Sequence, residues 1–209
     1  MGYLLIFEGL DGSGKSTQIT LMEKFLLENG QSVLTTREPG GTLFGEECRS
    51  LFLKHKINGT AELFLALASR LEHIENKIKP ALKNGSWVLC DRFTDSTIAY
   101  QGWGRGVSLD LIISLSELIE KDLKILKVIF LKISYETARK RIKGRKTTNN
   151  NRFDLEEELF FKKVHEGFEY ATKNRGCDAV IVDGEKPYNL VFSDLIMQIP
   201  ELHKLKKLK

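Results

Sequence analysis

Apolar and polar positions along this chain change their period several times, and these changes predict strands and helices in alternation. Short apolar runs bounded by turn residues predict strands that are buried on both faces. The predicted strands cover residues 3–8, 32–36, 87–90, 126–132 and 179–182. Stretches with apolar residues three and four positions apart predict helices between these strands. The predicted helices cover residues 16–29, 44–53, 60–84, 94–101, 108–122, 134–143, 155–174 and 187–199.

This order of elements predicts an α/β fold. Strands joined through helices make right-handed crossovers, so the five-stranded sheet should be mostly parallel, with helices on both faces. Such sheets bind ligands at the carboxyl ends of their strands. Gly9, Arg37, Asp91 and Asp183 each follow a predicted strand. The chain shows no internal repeat and no inter-domain linker, so residues 1–209 are predicted to form a single domain.

The segment after the first predicted strand has the pattern of a phosphate-binding loop. Residues 9–16 match G-x-x-x-x-G-K-[ST], with Thr17 next, and they lie between the apolar run 3–7 and an amphipathic helix. In such loops the backbone N–H groups bind phosphate oxygens, Lys15 reaches the β- and γ-phosphates of ATP, and the Ser16 hydroxyl ligates Mg²⁺. A chance glycine-rich turn is the alternative, which the flanking strand and helix disfavour. The predicted ATP-binding residues are Gly9, Leu10, Asp11, Gly12, Ser13, Gly14, Lys15, Ser16 and Thr17.

A tight turn follows the second predicted strand. Arg37 and Glu38 come directly before Pro39, Gly40 and Gly41, a composition that is typical of rigid turns. Arg37 is a candidate ligand of a phosphate or nucleotide, and Glu38 is a candidate for setting backbone or metal–water geometry. A loop with a surface ion pair is the alternative, and the neighbouring P-loop favours the functional interpretation.

Asp91 and Arg92 follow the third predicted strand. An acidic residue at this place in P-loop enzymes organises Mg²⁺, so Asp91 is predicted to hold the ion through a water. The planar guanidinium of Arg92 can donate two parallel hydrogen bonds to a phosphate group. The alternative for Asp91 is an N-cap of the next helix, and both roles are compatible. Asp11 would repel phosphates, so it is expected to meet a hydroxyl or the Mg²⁺ shell.

Polar side chains recur along the helix predicted after Arg92. Ser96 and Tyr100 are four residues apart and share a helix face, as do Thr97 and Gln101. Hydroxyl and amide groups side by side can bind the edge of a base, because both donate and accept hydrogen bonds. An ordinary polar helix face is the alternative.

Arginines flank an asparagine-rich stretch that predicts a mobile lid at about residues 139–154. The candidate lid residues are Arg141, Arg145 and Arg152. An arginine that closes over the P-loop can neutralise charge on a transferring phosphoryl group, and closure also excludes water. A solvated basic helix end is the alternative, and it is the interpretation adopted for Arg139.

The amino-acid composition limits the binding partners and the cellular compartment that can be expected. Lys and Arg number 32 against 28 Asp and Glu, which leaves a net charge of only +4. The basic stretch 203–209 is expected to be a frayed, solvated end, so no nucleic-acid partner is predicted. The three cysteines are far apart and odd in number, which disfavours a disulfide framework. No signal peptide or membrane-spanning stretch is visible, so the expected location is cytoplasmic.

Over nearly its whole length the chain resembles thymidylate kinases of the bacterial kind. The P-loop alone indicates only an NTPase, whereas the segments after the second and third strands are far more specific. The matching segments are residues 7–17, 36–42, 70–73, 91–102 and the lid arginines. The resemblance implies a P-loop nucleoside monophosphate kinase fold, transfer of the γ-phosphoryl group of Mg·ATP to dTMP giving dTDP, and a homodimer built on helix faces.

The resemblance also implies roles for individual residues. Lys15 and Ser16 match the residues that hold ATP phosphates and Mg²⁺, and Arg70 matches the arginine that hydrogen-bonds thymine. The implied catalytic residues are Asp11, Lys15, Arg92, Arg141, Arg145 and Arg152. The implied dTMP-binding residues are Asp11, Arg37, Glu38, Arg70, Arg92, Ser96, Thr97, Tyr100 and Gln101.

One position departs from the family pattern. Ala66 stands four residues before Arg70, where the family usually has an aromatic residue that stacks on thymine. Either base binding is weaker here, or another residue such as Leu67 covers the base. Two other functions remain open from the residues alone: a kinase of another nucleoside monophosphate, and a P-loop ATPase that binds a partner without transferring phosphate.

Overall fold

A five-stranded parallel sheet forms the centre of the protein. The structure is a computed structural model that describes residues 2–144 and 158–206. The strand order is β2-β3-β1-β4-β5, and every neighbouring pair is parallel. The strands are β1 Tyr3–Glu8, β2 Val33–Arg37, β3 Trp87–Asp91, β4 Lys127–Lys132 and β5 Ala179–Asp183. The predicted α/β fold is confirmed, with bounds that agree to within a residue or so.

Helices connect the strands and follow the last of them. In the described ranges they are α1 Lys15–Glu28, α2 Leu43–Lys54, α3 Gly59–His73, α4 Lys79–Lys83, α5 Thr94–Thr97, α6 Leu109–Glu120, α7 Tyr135–Lys143, α8 Glu158–Arg175, α9 Tyr188–Gln198 and α10 Pro200–Lys206. A π-helical segment, Ile74–Ile78, joins α3 to α4, and a second, Ile98–Gly104, continues α5. A short 3₁₀ turn, Gly176–Asp178, precedes β5.

Three local predictions were wrong. The helix predicted over 60–84 is α-helical to His73, widens into the π-helical segment Ile74–Ile78 and becomes α-helical again in α4. The helix predicted over 94–101 is α-helical only to Thr97 and then widens into the π-helical segment. The expectation of a frayed end from residue 203 fails as far as Lys206, because α10 starts with Pro200, which a first helical turn accommodates. Leu202 of α10 is fully buried in the main apolar cluster, so tertiary packing orders this part of the tail.

The central strand β1 is buried on both faces. Leu5 and Phe7 pack in the cluster that includes side chains of α1, α9 and α10, whereas Leu4 and Ile6 pack on the opposite side against Ile74 and its neighbours. Successive strand residues point to opposite faces, so four consecutive apolar residues require a helix layer on each side. The predicted layers on both faces are therefore confirmed.

The sheet register brings three strand ends together. Phe7 of β1 and Arg37 of β2 both pair with Asp91 of β3. The chain runs first to one side of β1 and later to its other side, which makes a crevice at the carboxyl end of β1. The P-loop, the turn after β2 and the segment after β3 are thus neighbours. No helix in the described ranges is long and apolar enough to span a bilayer.

Candidate active site

The predicted P-loop joins β1 to α1 in a conformation that needs glycine. Gly9, Gly12 and Gly14 have φ angles of +135°, +86° and +99°, a region that side chains with a Cβ rarely adopt. A Cβ on Gly9 would also lie only 2.7 Å from the Leu131 carbonyl oxygen. Helix α1 begins directly after the loop at Lys15. Its positive N-terminal end therefore points at the crevice.

Lys15 lies at the mouth of the loop and is almost fully buried. Its Nζ donates hydrogen bonds to the carbonyl oxygens of Gly9, at 2.9 Å, and Leu10, at 3.1 Å. Burial and the nearby Arg92 guanidinium lower the pKa of Lys15. An anion placed beside the ammonium would relieve both effects, because a negative charge favours the protonated form.

A cationic cavity, termed here the P-loop pocket, opens above the loop. Four basic side chains line it together with three carboxylates and backbone of the loop. Its lining is Asp11, Gly12, Gly14, Lys15, Ser16, Arg37, Glu38, Arg49, Asp91 and Arg92. Basic groups concentrated at a helix N-terminus make a strong site for phosphate groups.

A second cavity, termed here the inner cleft, adjoins the P-loop pocket and has an apolar and a polar wall. Its lining is Asp11, Glu38, Pro39, Arg49, Phe52, Leu53, Ala66, Arg70, Arg92, Phe93, Ser96, Thr97, Tyr100 and Gln101. Four residues line both cavities: Asp11, Glu38, Arg49 and Arg92. A molecule with an aromatic body and a phosphate could therefore lie in the cleft with its phosphate at the junction.

Arg92 stands at this junction in a strained conformation. Its φ of +72° is left-handed, which costs a residue with a side chain on the order of 1 kcal/mol or more. Its backbone N–H donates to the Phe7 carbonyl at 2.9 Å. Its guanidinium donates to Asp11 Oδ1 at 2.8 Å and to Ser96 Oγ at 2.9 Å. These bonds point a planar cation between the two cavities.

Asp11 faces Arg92 and a tyrosine. The Tyr100 hydroxyl donates to Asp11 Oδ2 at 3.2 Å, whereas Arg92 donates to Oδ1. Burial alone would raise the pKa of Asp11, but the positive charges of Arg92 and Lys15 lower it overall. Asp11 thus already contacts a hydroxyl of the protein itself, and its expected contact with a ligand hydroxyl or with the Mg²⁺ shell stays a prediction.

Arg49 of α2 also stands at the junction, and the sequence patterns do not single it out. Its guanidinium donates to the Pro39 carbonyl at 3.1 Å. Burial lowers the pKa of Arg49, and the neighbouring Arg37 lowers it further. The signal available in the sequence was a cation on the apolar face of a helix. Arg49 follows Gly45 by four residues and precedes Phe52 by three, and both of those are buried.

Arg37 lines the rim of the P-loop pocket with its side chain half exposed. It forms two hydrogen bonds with the Glu46 carboxylate, at 2.9 and 3.1 Å. The ion pair of the alternative interpretation is therefore present, while Arg37 still borders the pocket.

Arg70 reaches the inner cleft from α3 and is buried. Its Nε donates to Glu38 Oε2 at 2.6 Å, and its Nη2 donates to Thr97 Oγ1 at 2.9 Å. The guanidinium also stacks over the Phe93 ring at 4.7 Å. The second Glu38 oxygen lies 2.9 Å from Nδ1 of the buried His73. Glu38 thus holds Arg70 and His73, while its role in setting backbone or metal–water geometry stays a prediction.

The polar residues after Arg92 all line the inner cleft, as their spacing predicts. Ser96 and Tyr100 contact Arg92 and Asp11, and Thr97 contacts Arg70. Gln101 donates to the fully buried Glu62 at 3.0 Å. These side chains therefore line a cavity and do not form an ordinary solvated helix face, and their binding of a base stays a prediction.

The cation-binding candidates are oxygen donors at the edge of the P-loop pocket. Asp91 Oδ1 is buried and has no hydrogen-bond partner in the described part of the chain. Asp91 does not cap the next helix, because α5 begins after Phe93 without a side-chain cap. The Ser16 hydroxyl lines the same pocket. Hydroxyl and carboxylate oxygens, directly or through water, are the ligand types that Mg²⁺ prefers, so the residues fit this ion.

Of the three lid arginines, only Arg141 lies within the described residues. Its Nη1 donates to the Gly12 carbonyl at 3.2 Å and to the Gly184 carbonyl at 2.9 Å. Arg141 thus bridges the P-loop and the loop after β5. Arg145 and Arg152, with most of the predicted lid, lie outside the described residues.

At Ala66, where the family usually has an aromatic residue, an aromatic ring comes from α2 instead. Ala66 and Phe52 belong to one apolar cluster and both line the inner cleft. Leu67 packs in a different cluster with Leu63 and does not line the cleft. The suggestion that Leu67 covers a base is therefore wrong, because the adjacent helix position points to another side.

Comparisons with known proteins agree with this geometry. The sequence model of the thymidylate kinase family matches residues 7–195. A thymidylate kinase of Thermosipho melanesiensis is 40% identical over 191 residues, which cover 91% of this chain and 94% of that protein. A thymidylate kinase of Geotalea daltonii is 43% identical over 192 residues, covering 88% and 90%. The crystal structure of thymidylate kinase from Ehrlichia chaffeensis aligns with a TM-score of 0.76 at 31% identity, covering 94% of this chain and 97% of that one.

Proposed function

This chain belongs to the thymidylate kinase family and transfers the γ-phosphoryl group of ATP to dTMP, and we propose that dTMP lies in the inner cleft with its phosphate at the junction with the P-loop pocket. The observation that carries this proposal is that Arg49 and Arg92 line both cavities. A phosphate held there faces the end of any ATP molecule bound along the P-loop. The two nucleotides then lie end to end.

Catalysis in this arrangement is mostly positioning and charge neutralisation. Arg92 and Arg49 hold the acceptor phosphate, and Arg37 adds positive charge at the rim. Lys15 neutralises the β,γ end of ATP. No strong base is needed, because a phosphate monoester is already anionic near neutral pH.

Mg²⁺ would neutralise negative charge on the phosphate oxygens, and the residues that would hold it are Ser16 and, through water, Asp91. The unpartnered Asp91 oxygen supports this assignment. Arg141, placed over the loop, and the predicted lid at 139–154 complete the proposed site, with Arg145 and Arg152 as candidates for the charge on the transferring group.

The polar wall of the inner cleft supports a base-reading role. Arg70, Thr97 and Gln101 present donors and acceptors there, and Tyr100 with Asp11 borders the side where the sugar would lie. We propose that Arg70 donates to the pyrimidine carbonyl, because Glu38 and Thr97 hold its guanidinium at the wall of the cleft.

The acceptor identity is tested with a panel of monophosphates. Purified protein with Mg·ATP is offered dTMP, dUMP, dCMP, dGMP and thymidine, and ADP release is measured in a coupled assay. We expect dTMP to give the highest kcat/KM. Faster turnover with another acceptor would refute the proposed acceptor, and ATP hydrolysis without any acceptor dependence would favour the ATPase alternative.

We propose that Phe52 packs on the thymine ring in place of the aromatic residue missing at position 66. Phe52→Leu keeps an apolar side chain in the cluster but removes the ring face. Stacking of a base on an aromatic side chain is worth about 1–3 kcal/mol, so KM for dTMP should rise roughly tenfold with little change in KM for ATP. Phe44→Leu is the matched control, since Phe44 lies on the same helix and is exposed. Unchanged dTMP kinetics in Phe52→Leu would exclude stacking.

We further propose a homodimer built on α3 and α6. Phe64 and Leu71 are seven residues apart on α3, Leu111 and Leu118 are seven apart on α6, and all four are exposed. The two helices pack side by side, so these residues make an apolar surface of the kind that marks protein interfaces. The double variant Phe64→Asp, Leu118→Asp should sediment as a monomer. Leu27→Asp, an exposed leucine of α1, should stay dimeric, and a monomeric wild type would contradict the proposal.

The proposed location is the cytoplasm. Cys48, Cys90 and Cys177 are all free thiols, which is the state that a reducing compartment maintains.

A further inference from the structure

Glu8 is a buried carboxyl group that no step of the proposed reaction uses. It is the last residue of β1, directly before the P-loop, and it is fully buried. It lines neither the P-loop pocket nor the inner cleft. Burying a carboxyl group at the centre of an enzyme is costly unless its hydrogen bonds are made. Its partners therefore indicate what it does.

Within the described residues, the side-chain hydrogen bonds of Glu8 go to the start of α5, more than eighty residues away in the chain. Oε1 accepts from the backbone N–H groups of Phe93, at 2.6 Å, and Ser96, at 3.1 Å. Oε2 accepts from the Ser96 hydroxyl at 2.6 Å. Phe93, the N-cap of α5, makes no side-chain cap of its own. Glu8 supplies that cap from the neighbouring strand.

The Ser96 hydroxyl links Glu8 to the acceptor-phosphate arginine. Ser96 Oγ donates its single proton to Glu8 and accepts from Arg92 Nη1 at 2.9 Å. A carboxylate only accepts hydrogen bonds, so it fixes the direction of this chain. The hydroxyl lone pair is then left to face Arg92.

We propose that Glu8 is a positioning residue for the acceptor phosphate, and that it sets the direction of a hydrogen-bond chain, through Ser96, that aims the Arg92 guanidinium at the junction of the two cavities. The inference rests on the proposed function. Glu8 links β1, the strand that leads into the P-loop, to the segment around Arg92 that holds the acceptor phosphate.

The charges around Glu8 decide at which pH its carboxyl group is ionised and can play this role. Its burial and the Asp95 carboxylate raise the pKa of Glu8 to about 7, and Arg92 and the hydrogen bonds from Ser96 and Phe93 oppose that rise. Other charged or titratable groups that act with Glu8 are Lys15, Arg70, Cys90 and Arg175. Protonation of Glu8 would place a donor where the Ser96 hydroxyl needs an acceptor.

Glu8→Gln separates the positioning role from the capping role. The introduced amide is expected to turn its carbonyl oxygen toward the two backbone N–H groups and accept from them. The opposite orientation is disfavoured because it would place an NH₂ donor against these two donors. The NH₂ group therefore faces Ser96, whose oxygen then receives donors from both sides while its own proton lacks the carboxylate acceptor. We expect kcat/KM for dTMP to fall roughly tenfold to a hundredfold, the range for losing a charged hydrogen-bond partner. KM for ATP should stay within about twofold.

A double-mutant cycle with Ser96→Ala tests the chain itself. Removing the hydroxyl breaks the link, so Glu8→Gln should cost much less in the Ser96→Ala background than in the wild type. Additive losses would overturn the inference, as would a Glu8→Gln protein with wild-type dTMP kinetics or with equal losses for dTMP and ATP. If Glu8→Gln does not fold, Ser96→Ala supplies the refuting outcome, because unchanged dTMP kinetics without this hydroxyl would overturn the inference.

The same measurements distinguish a failure of this inference from a failure of the proposed function. The wild type is assayed first with the acceptor panel, and the cycle uses the acceptor that it phosphorylates best. A different best acceptor refutes dTMP as the substrate, whereas coupling between positions 8 and 96 with that acceptor still supports the positioning role.

Discussion

Arg92→Ala should lower kcat/KM for dTMP by roughly a thousandfold or more. Arginines that neutralise charge in phosphoryl transfer are worth about 10³ to 10⁵ in rate. Arg92 lines both cavities, and its guanidinium is held by Asp11 and Ser96 at the junction. Its removal takes away the planar donor pair and also leaves Asp11 to repel the incoming phosphate.

The variant series for Arg92 separates charge from geometry. Arg92→Lys restores the charge but not the planar fork, so we expect it to recover only a small part of the loss. Lys54→Ala is the control for loss of a positive charge, because Lys54 is exposed at the end of α2 and lines neither cavity. Initial rates over a grid of dTMP and ATP concentrations give both KM values, and circular dichroism with thermal melts checks the fold. Near-normal turnover in folded Arg92→Ala would remove Arg92 from the site.

Lys15→Ala should reduce kcat by roughly a thousandfold while the fold is retained. The ammonium lies at the mouth of the P-loop beside the N-terminus of α1, where it would meet the β- and γ-phosphates. Its two hydrogen bonds within the protein go to backbone carbonyls of the loop, whose shape depends on the glycines. The loop is therefore expected to survive the substitution.

Lys24→Ala is a matched control on the same helix. Its ammonium is largely exposed and pairs only weakly, at 3.9 Å, with Glu28. It should leave kcat and both KM values unchanged. Isothermal titration calorimetry measures the affinity of Lys15→Ala for ATP. It shows whether the loss of activity comes from weaker ATP binding or from slower phosphoryl transfer. Wild-type turnover in Lys15→Ala would contradict the assignment of this loop to ATP.

The P-loop, the strand–helix alternation and the segment around Asp91 and Arg92 were predictable because their signals are contiguous. A strand needs a short apolar run, and a phosphate loop needs glycines beside a helix start. The structure confirms the fold that these signals indicate. The roles of the site residues stay predictions, to be tested by the variants above.

Contacts between distant segments could not be predicted in the same way. Arg49 and Phe52 face the inner cleft only because α2 packs where it does, and a sequence pattern shows just that they share a helix face. Arg37 hydrogen-bonds to Glu46, and Glu38 hydrogen-bonds to Arg70. Both contacts depend on how the segments pack across the site. The widening of the helix at Ile98–Gly104 lies where α8 packs so closely that a Cβ on Gly167 would come within 2.7 Å of Ala99 Cα.

The sequence by itself determined the class of fold, the place of the phosphate loop and the residue types that meet at the sheet edge, because each of these depends on neighbours in the chain. The tertiary structure alone decided which side chains share the two cavities and that Glu8 holds the start of α5. Those arrangements depend on how layers pack, and packing brings together residues that no local pattern relates.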